Sequence, residues 1–304
     1  SYVTSRWARR QGLPVAAVQH HAAHASALLG EQVEPVQENH LVFTWDGVGY
    51  GDDGTLWGGE ALYGVPGRWR RVASMRSFRL PGGEKAGREP WRSALSLAWE
   101  TGADTVAMKV IDALQANPVT ASSYALLHQA WHKSLNTPSS TAVGRLFDAA
   151  AALTGLCLSA SYEGQGPMWL EAVADEMADP VSLPLLEQSD GLLRTDWQPL
   201  LRHLLDERTP VSRRAAIFHA SMAEALVRQA LRVRERHAVQ AVGLCGGVFQ
   251  NRRLTEDCVS RLEQNGFDVL LGERLPVNDA GLSFGQVVEY LFRHKSGINP
   301  PGSV

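Results

Sequence analysis

Four places along this chain of 304 residues repeat one pattern: an apolar run, a turn, then residues able to hold a cation or a nucleotide. Polar chemistry delivered repeatedly at strand ends predicts a cleft lined by loops, not a binding domain with one flat face. The first place is VAAVQHHAAHASA, residues 15–27. The apolar run 15–18 predicts the end of a buried strand, and the chain then turns into a helix carrying His20, His21 and His24. His20 and His24 stand one above the other, about 5–6 Å apart between Cβ atoms. Two rings at that separation can share one metal ion at about 2.0–2.1 Å. A helix start also favours the neutral ring a metal requires, because the positive end of the dipole opposes protonation. Spacing alone does not decide. His128 and His132 in LLHQAWHK have the same separation, without a strand end or Gly turn, and Lys133 follows directly. The alternative for His20 and His24 is a hydrogen-bonded pair at a buried helix start.

At the second place an apolar strand, 40–45, ends in Asp46, with Gly47, Gly49 and Gly51 behind it. Glycines permit tight turns and close approach of a ligand to the backbone, and a carboxylate at a strand's C-terminal end points into a cleft. A hairpin turn is the competing reading, with 55–63 as the returning strand. The third place is a strand at 239–245, the pair Gly246–Gly247, and a helix from about 250 with Asn251 in its first turn, a plausible nucleotide cradle. Cys245 there reads as a small buried hydrophobe. The fourth is a strand at 267–271 leading to LPVNDAGLSFGQ, with Asp279 at the turn into a last helix, 282–294.

Between these, helical periodicity predicts helices at 91–101, 104–115, 121–133, 141–154, 165–177, 197–205 and 212–237. Pro90 suits the first turn of the earliest of them. TAVGRLFD opens one with Gly144, Arg145 and Asp148, where backbone N–H groups and Arg can hold an anion. SYEGQGP opens another with Glu163 exposed on a Gly turn. His219 sits in an apolar stripe and reads as a satisfied core histidine. Residues 31–38 read as a polar connector, 178–195 as a loop, and 295–304 as a frayed tail. Because a single strand cannot make a sheet, the first strands of the domain holding the histidine helix are expected to be absent from the chain.

The length suffices for two lobes or one large α/β unit. A net charge of −3, with Arg pairs scattered instead of massed, argues against a nucleic-acid surface. Three widely spaced cysteines fit reduced thiols in the cytoplasm, and the lack of a C-x-x-C pair excludes a cysteine zinc finger. No apolar run approaches the ~20 residues needed to cross a bilayer, and no signal peptide is visible.

The segments VQHHAAH, DGVGYGDDGTLWGGE, LPGGEKAGREPWR, VGRLFDAAAALTG, SYEGQGP, CGGVFQNRRL and NDAGLSFGQ, in that order, resemble the C-terminal carbamoyltransferase domain of HypF, the hydrogenase maturation factor. That domain is similar to the TsaD family of tRNA threonylcarbamoyltransferases and to antibiotic O-carbamoyltransferases. The resemblance covers about residues 2–292. It implies the two-lobed α/β fold of actin, heat-shock ATPases and sugar kinases in its TsaD-like form. Residues 1–38 would be the remainder of lobe one, 39–278 a nucleotide-binding lobe two, and 279–304 a helix returning to lobe one.

The same resemblance implies a divalent metal, Zn or Fe, on His20, His24 and Asp279, with Asp46 as a fourth or nearby carboxylate. It places Gly47 and Gly49 by the phosphate of ATP or carbamoyl adenylate. Gly144, Asp148, Glu163, Gly164, Gly246, Gly247 and Asn251 would hold the adenosine and ribose. Asp46 and His21 are the candidate catalytic residues. The implied acceptor is the C-terminal cysteine thiolate of HypE, on the way to the hydrogenase cyanide ligand. Longer relatives carry acylphosphatase-like, zinc-finger and adenylate-forming segments upstream, so the chain by itself is not expected to make carbamoyl adenylate. Its loop reads GGEKAG where relatives often have Asp after the Gly pair, which leaves Glu84 without a role. The competing functions are an O-carbamoyl or tRNA-modifying transferase and a non-catalytic partner-docking fragment.

Overall fold

The structure, a computed structural model, describes residues 3–12, 14–32, 38–114 and 121–295. Its axis is β1 (His40–Tyr50), whose residues alternate between two cores: Leu41, Phe43 and Trp45 on one face, Val42 on the other. A strand covered on both faces reads in sequence as an unbroken apolar run, which is what residues 41–45 are. β2 (Leu56–Gly64) returns antiparallel beside β1, and β3 (Arg70–Met75) is antiparallel to β2. β7 (Leu193–Thr195) then runs parallel to β3, with β6 (Leu185–Glu187) at that edge. On the other side of β1 lie β8 (Ala241–Cys245) and β9 (Asp268–Leu271), all three parallel. Two short strands, β4 (Phe78–Arg79) and β5 (Ser139–Ser140), form a flap on β2.

The main core lies under α3 (Pro90–Glu100), α6 (Val143–Leu153) and α9 (Val211–Arg234). Each fully buried Leu or Phe there contributes about 1.5–3 kcal/mol. α7 (Gln165–Val173) packs on α6, and α10 (Arg252–Gln264) packs between α9 and β9. The opposite face of the sheet carries α2 (His20–Gly30) and α11 (Leu282–Lys295), with Ala25 and Leu28 against Val42, Leu62 and Cys245. These two helices touch along their backbones: a Cβ at Gly285 would lie 1.9 Å from the Ala23 carbonyl oxygen.

Most predicted helices fall within a few residues of their places, and the differences have physical causes. Residues 15–18 form no strand. Residues 14–19 carry no regular structure and Val15 is 43% exposed, because the run joins neither edge strand and its backbone has no ladder to complete. β1 continues five residues beyond Trp45, so Asp46 lies inside a strand and not at its end. The loop expected at 178–195 contains β6 and β7, three residues each, too short to show periodicity. α7 ends at Val173 instead of 177. The polar start of the chain holds an unexpected helix, α1 (Val3–Arg9). The tail from 296, part of the 31–38 connector and the end of the helix at 104–115 lie outside the described residues.

Candidate metal and nucleotide site

The site begins with an irregularity in β1. Trp45 pairs with Gly59 and Gly49 with Trp57, so residues 46–48 oppose Gly58 alone. A bulge bends its strand and re-aims a side chain, and Asp46 is turned onto the face covered by α2. Only glycine fits opposite: at φ +153°, a Cβ on Gly58 would lie 2.7 Å from the Asp46 carbonyl oxygen. Asp46 Oδ2 reaches His20 Nε2 at 2.9 Å and His24 Nε2 at 3.3 Å. Asp279, on the turn that opens α11, brings its Oδ1 to 3.5 Å from His20 Nε2 and 3.3 Å from His24 Nε2. The two Nε2 atoms are 3.2 Å apart, and one donor atom from each of the four residues lies within 4.8 Å of the others.

Four ligands at ~2.0–2.1 Å around a tetrahedral ion stand about 3.3–3.4 Å from one another, so the side chains fit one cation. The charges agree, since two carboxylates balance a divalent ion and a mixed nitrogen–oxygen set accepts Zn²⁺, Fe²⁺ or Mn²⁺. Burial works against a charge on His24, but the carboxylates of Asp279 and Asp46 outweigh it and raise the ring to about 9. Burial likewise opposes ionisation of Asp46, and the hydrogen bonds to His20 and His24 hold it well below the usual carboxylate range. A proton and a divalent cation would therefore compete for one set of atoms.

A cavity of about 690 Å³ opens from Asp46 and Asp279, within the range of small-molecule sites. Gly47, Gly144, Glu163, Gly164, Gly247 and Asn251, which the resemblance assigns to the nucleotide, line it, and so does Arg145. The wall is tight where α6 meets the bulge: a Cβ at Gly144 would lie 2.8 Å from Gly47 Cα. Asn251 is committed twice, its Oδ1 accepting from the Leu254 amide at the start of α10 and its Nδ2 3.0 Å from His219 Nε2. The Gly247 amide donates to Asp46 Oδ1 at 3.2 Å, which couples the turn after β8 to the four-donor cluster.

Four expected residues stand elsewhere. Asp148 lies behind Arg145, 3.0 Å from its Nη1, and does not form the wall. Gly49 packs on His20 and His21, and Gly246 on the Trp45 backbone. His21 is fully buried, with Nδ1 3.3 Å from Gln19 Nε2 and Nε2 4.0 Å from Glu60 Oε2, and it is not among the cavity's lining residues. Burial and then the adjacent His20 hold it neutral. His128 stacks with Tyr124 and Trp131 in an aromatic cluster. A second cavity, about 590 Å³ along β3 and β7, includes none of the four donors. Sequence reasoning passed over Gln19, whose Oε1 caps α2 by accepting from the Ala22 amide at 2.6 Å. The residue before HHAAH was the only signal of it.

The fold is the TsaD-like form of the α/β architecture found in actin, heat-shock ATPases and sugar kinases. The crystal structure of full-length HypF in its phosphate- and nucleotide-bound form matches with a TM-score of 0.89 at 27% identity, over 98% of this chain and 38% of that one. HypF of T. kodakarensis matches with 0.83 at 25%, over 96% and 39%. Residues 42–286 match the family described as carbamoyltransferase, Kae1-like domain, second subdomain, and the chain belongs to that family. It is 39% identical over 283 residues to the carbamoyltransferase HypF of Rhodobacter capsulatus, covering 92% of this chain and 36% of that protein. A HypF homolog of Cupriavidus necator is 36% identical over 297 residues, covering 93% and 73%. The chain thus spans between about a third and three quarters of the length of these relatives.

Proposed function

We propose that this chain is a carbamoyltransferase domain of hydrogenase maturation, moving a carbamoyl group from carbamoyl adenylate to the C-terminal cysteine of a HypE-type acceptor for the NiFe-hydrogenase cyanide ligand. The observation that carries the reading is the four-donor cluster of His20, His24, Asp46 and Asp279 opening directly into a nucleotide-sized cavity. These residues would hold a divalent metal, Zn or Fe, whose contribution is to position the phosphate and polarise the carbonyl. Gly47, Gly144 and Gly247 leave the walls open to a nucleotide, while Glu163 and Asn251 offer hydrogen bonds to adenosine and ribose. Asp148 keeps Arg145 in the wall.

The thiolate sulfur attacks the carbonyl carbon, the bond to the phosphate oxygen breaks, and AMP leaves behind a thiocarbamate. This chain supplies no such thiolate. Cys157, Cys245 and Cys258 are buried, and burial raises all three thiols above their ordinary range. The nucleophile therefore comes from the acceptor. On this reading α2 and α11 belong to lobe one, and the sheet with its main-core helices is the nucleotide-binding lobe two. The reaction is cytoplasmic, and no helix among the described residues is long and apolar enough to cross a membrane.

The test is elemental analysis of protein purified without chelator, followed by calorimetry with ATP, with and without added Zn²⁺ or Fe²⁺. One divalent ion per chain and a nucleotide heat that depends on it are the expected outcome. His24→Ala should lose the metal and bind nucleotide roughly tenfold or more weakly. Unchanged metal content in that variant would remove the reading. Binding to HypE with no nucleotide heat would replace it with partner docking.

A further inference from the structure

Asp279 is the one member of the cluster that stands on an exposed turn, its side chain 67% accessible. The chain reaches it through residues 272–278, and that segment is gripped from α2. The Glu31 carboxylate, at the C-terminal end of the histidine helix, accepts three consecutive backbone N–H groups: Glu273 on Oε1 at 2.8 Å, and Arg274 and Leu275 on Oε2 at 3.2 and 2.9 Å. Two residues further on, the Val277 carbonyl accepts the Gly246 amide at 2.8 Å. Asn278 Oδ1 then accepts the Ala280 amide at 3.1 Å. His24, Ala27, Leu28 and Glu31 meet Leu275 and Val277 around one small void, so loop and helix are in contact along this length.

One helix thus sets three of the four donors. It carries His20 and His24 at its first turns. Seven residues and ~10 Å beyond His24, the side chain of Glu31, the residue at its C-cap, clamps the strand-to-turn segment that delivers Asp279. A carboxylate is the side chain suited to this, because its two oxygens accept charge-assisted bonds from several amides at once. We infer that Glu31 is a positioning residue of the cation site, acting through Asp279. The inference rests on the metal reading above.

Titration of the whole chain with Mn²⁺ alone, by calorimetry, compares wild type, Glu31→Gln, Asp279→Asn and the double variant. An amide keeps the size of the side chain but loses one acceptor and the charge. The expected result is a loss of about tenfold in Mn²⁺ affinity for Glu31→Gln, the lower end of what outer partners of ligands contribute. Asp279→Asn should lose at least as much, and the double variant should bind no more weakly than Asp279→Asn alone, since interacting positions are not additive. Glu31→Asp, one methylene too short to span the three amides, is the second variant and should resemble Glu31→Gln. Losses that multiply in the double variant, or wild-type affinity in both Glu31 variants, overturn the inference and leave the metal site standing. Should wild type take up no cation, the metal reading falls and this inference with it.

Discussion

Arg145 and Asp148 are a buried pair, 6% and 2% exposed, and both carry atoms with no other hydrogen-bond partner, Nε and Oδ2. Burial raises the Asp148 acid to about 6, against the pull of Arg145 and with a push from Glu163. Removing the cation leaves a buried carboxylate uncompensated, which costs about 3–5 kcal/mol. The sign of its pH dependence follows. The folded-state pKa already lies above the unfolded value, so ionisation weighs against the fold above about pH 6, and loss of Arg145 moves the pKa higher still. Arg145→Leu should therefore be destabilised by several kcal/mol at pH 8 and by much less at pH 5, where Asp148 is protonated in both proteins. Urea unfolding at the two pH values reads this directly, and an equal cost at both would show that the pair is not electrostatically coupled.

The element that organises the site is the bulge of β1, and its fit against α6 is its most exacting feature. Gly144→Ala improves helix propensity by about 1 kcal/mol, yet it puts a methyl 2.8 Å from Gly47 Cα, where backbone must move. The expected outcome is a protein whose unfolding free energy falls by no more than overpacking allows, about 1–3 kcal/mol, but whose ATP affinity falls at least tenfold. Calorimetry beside an unfolding curve separates the two effects, and unimpaired ATP binding would place the nucleotide away from this wall. The bulge also marks the limit of what the chain discloses. Residues 41–45 announce a strand because both faces are covered, and the long apolar stripes of α3, α6, α9 and α11 announce helices. Three glycines announce the turn, but not that pairing continues to Tyr50 with three residues facing one, because that count depends on where β2 returns. β4 to β7 escape for a different reason: two or three residues have no period. Spacing suggested that His20 and His24 face one ion, and the structure brings Asp46 and Asp279 to them. Glu31 could not be found this way, since its partners are backbone amides 242 to 244 positions away.

At the scale of the whole molecule, two buried groups pull stability in opposite directions over one pH range. His219 accepts or donates at both ring nitrogens, 2.8 Å from the Ala215 carbonyl and 3.0 Å from Asn251 Nδ2, and is the satisfied core histidine its apolar stripe predicts. Burial lowers its pKa to about 4, opposed by the Ala215 bond and reinforced by Arg253. A depressed histidine stabilises the fold above its unfolded value of about 6.5, and that stability is lost as pH falls toward 4. Asp148, raised to about 6, does the reverse: below pH 6 the folded state binds its proton more tightly than the unfolded chain, so stability is gained as pH falls toward 4. Each shift is worth up to roughly 3 kcal/mol at about 1.4 per unit. Between pH 6 and 4 their slopes cancel, with one proton more bound by the unfolded chain at His219 and one fewer at Asp148. Replacing either group should expose the other. Relative to wild type, His219→Gln should gain stability as pH is lowered from 6.5 to 4.5, and Asp148→Asn should lose it over the same range. The double variant should run parallel to wild type. Unfolding free energies of the four proteins at three pH values are sufficient, and single variants that track wild type would mean that neither group is shifted in the fold.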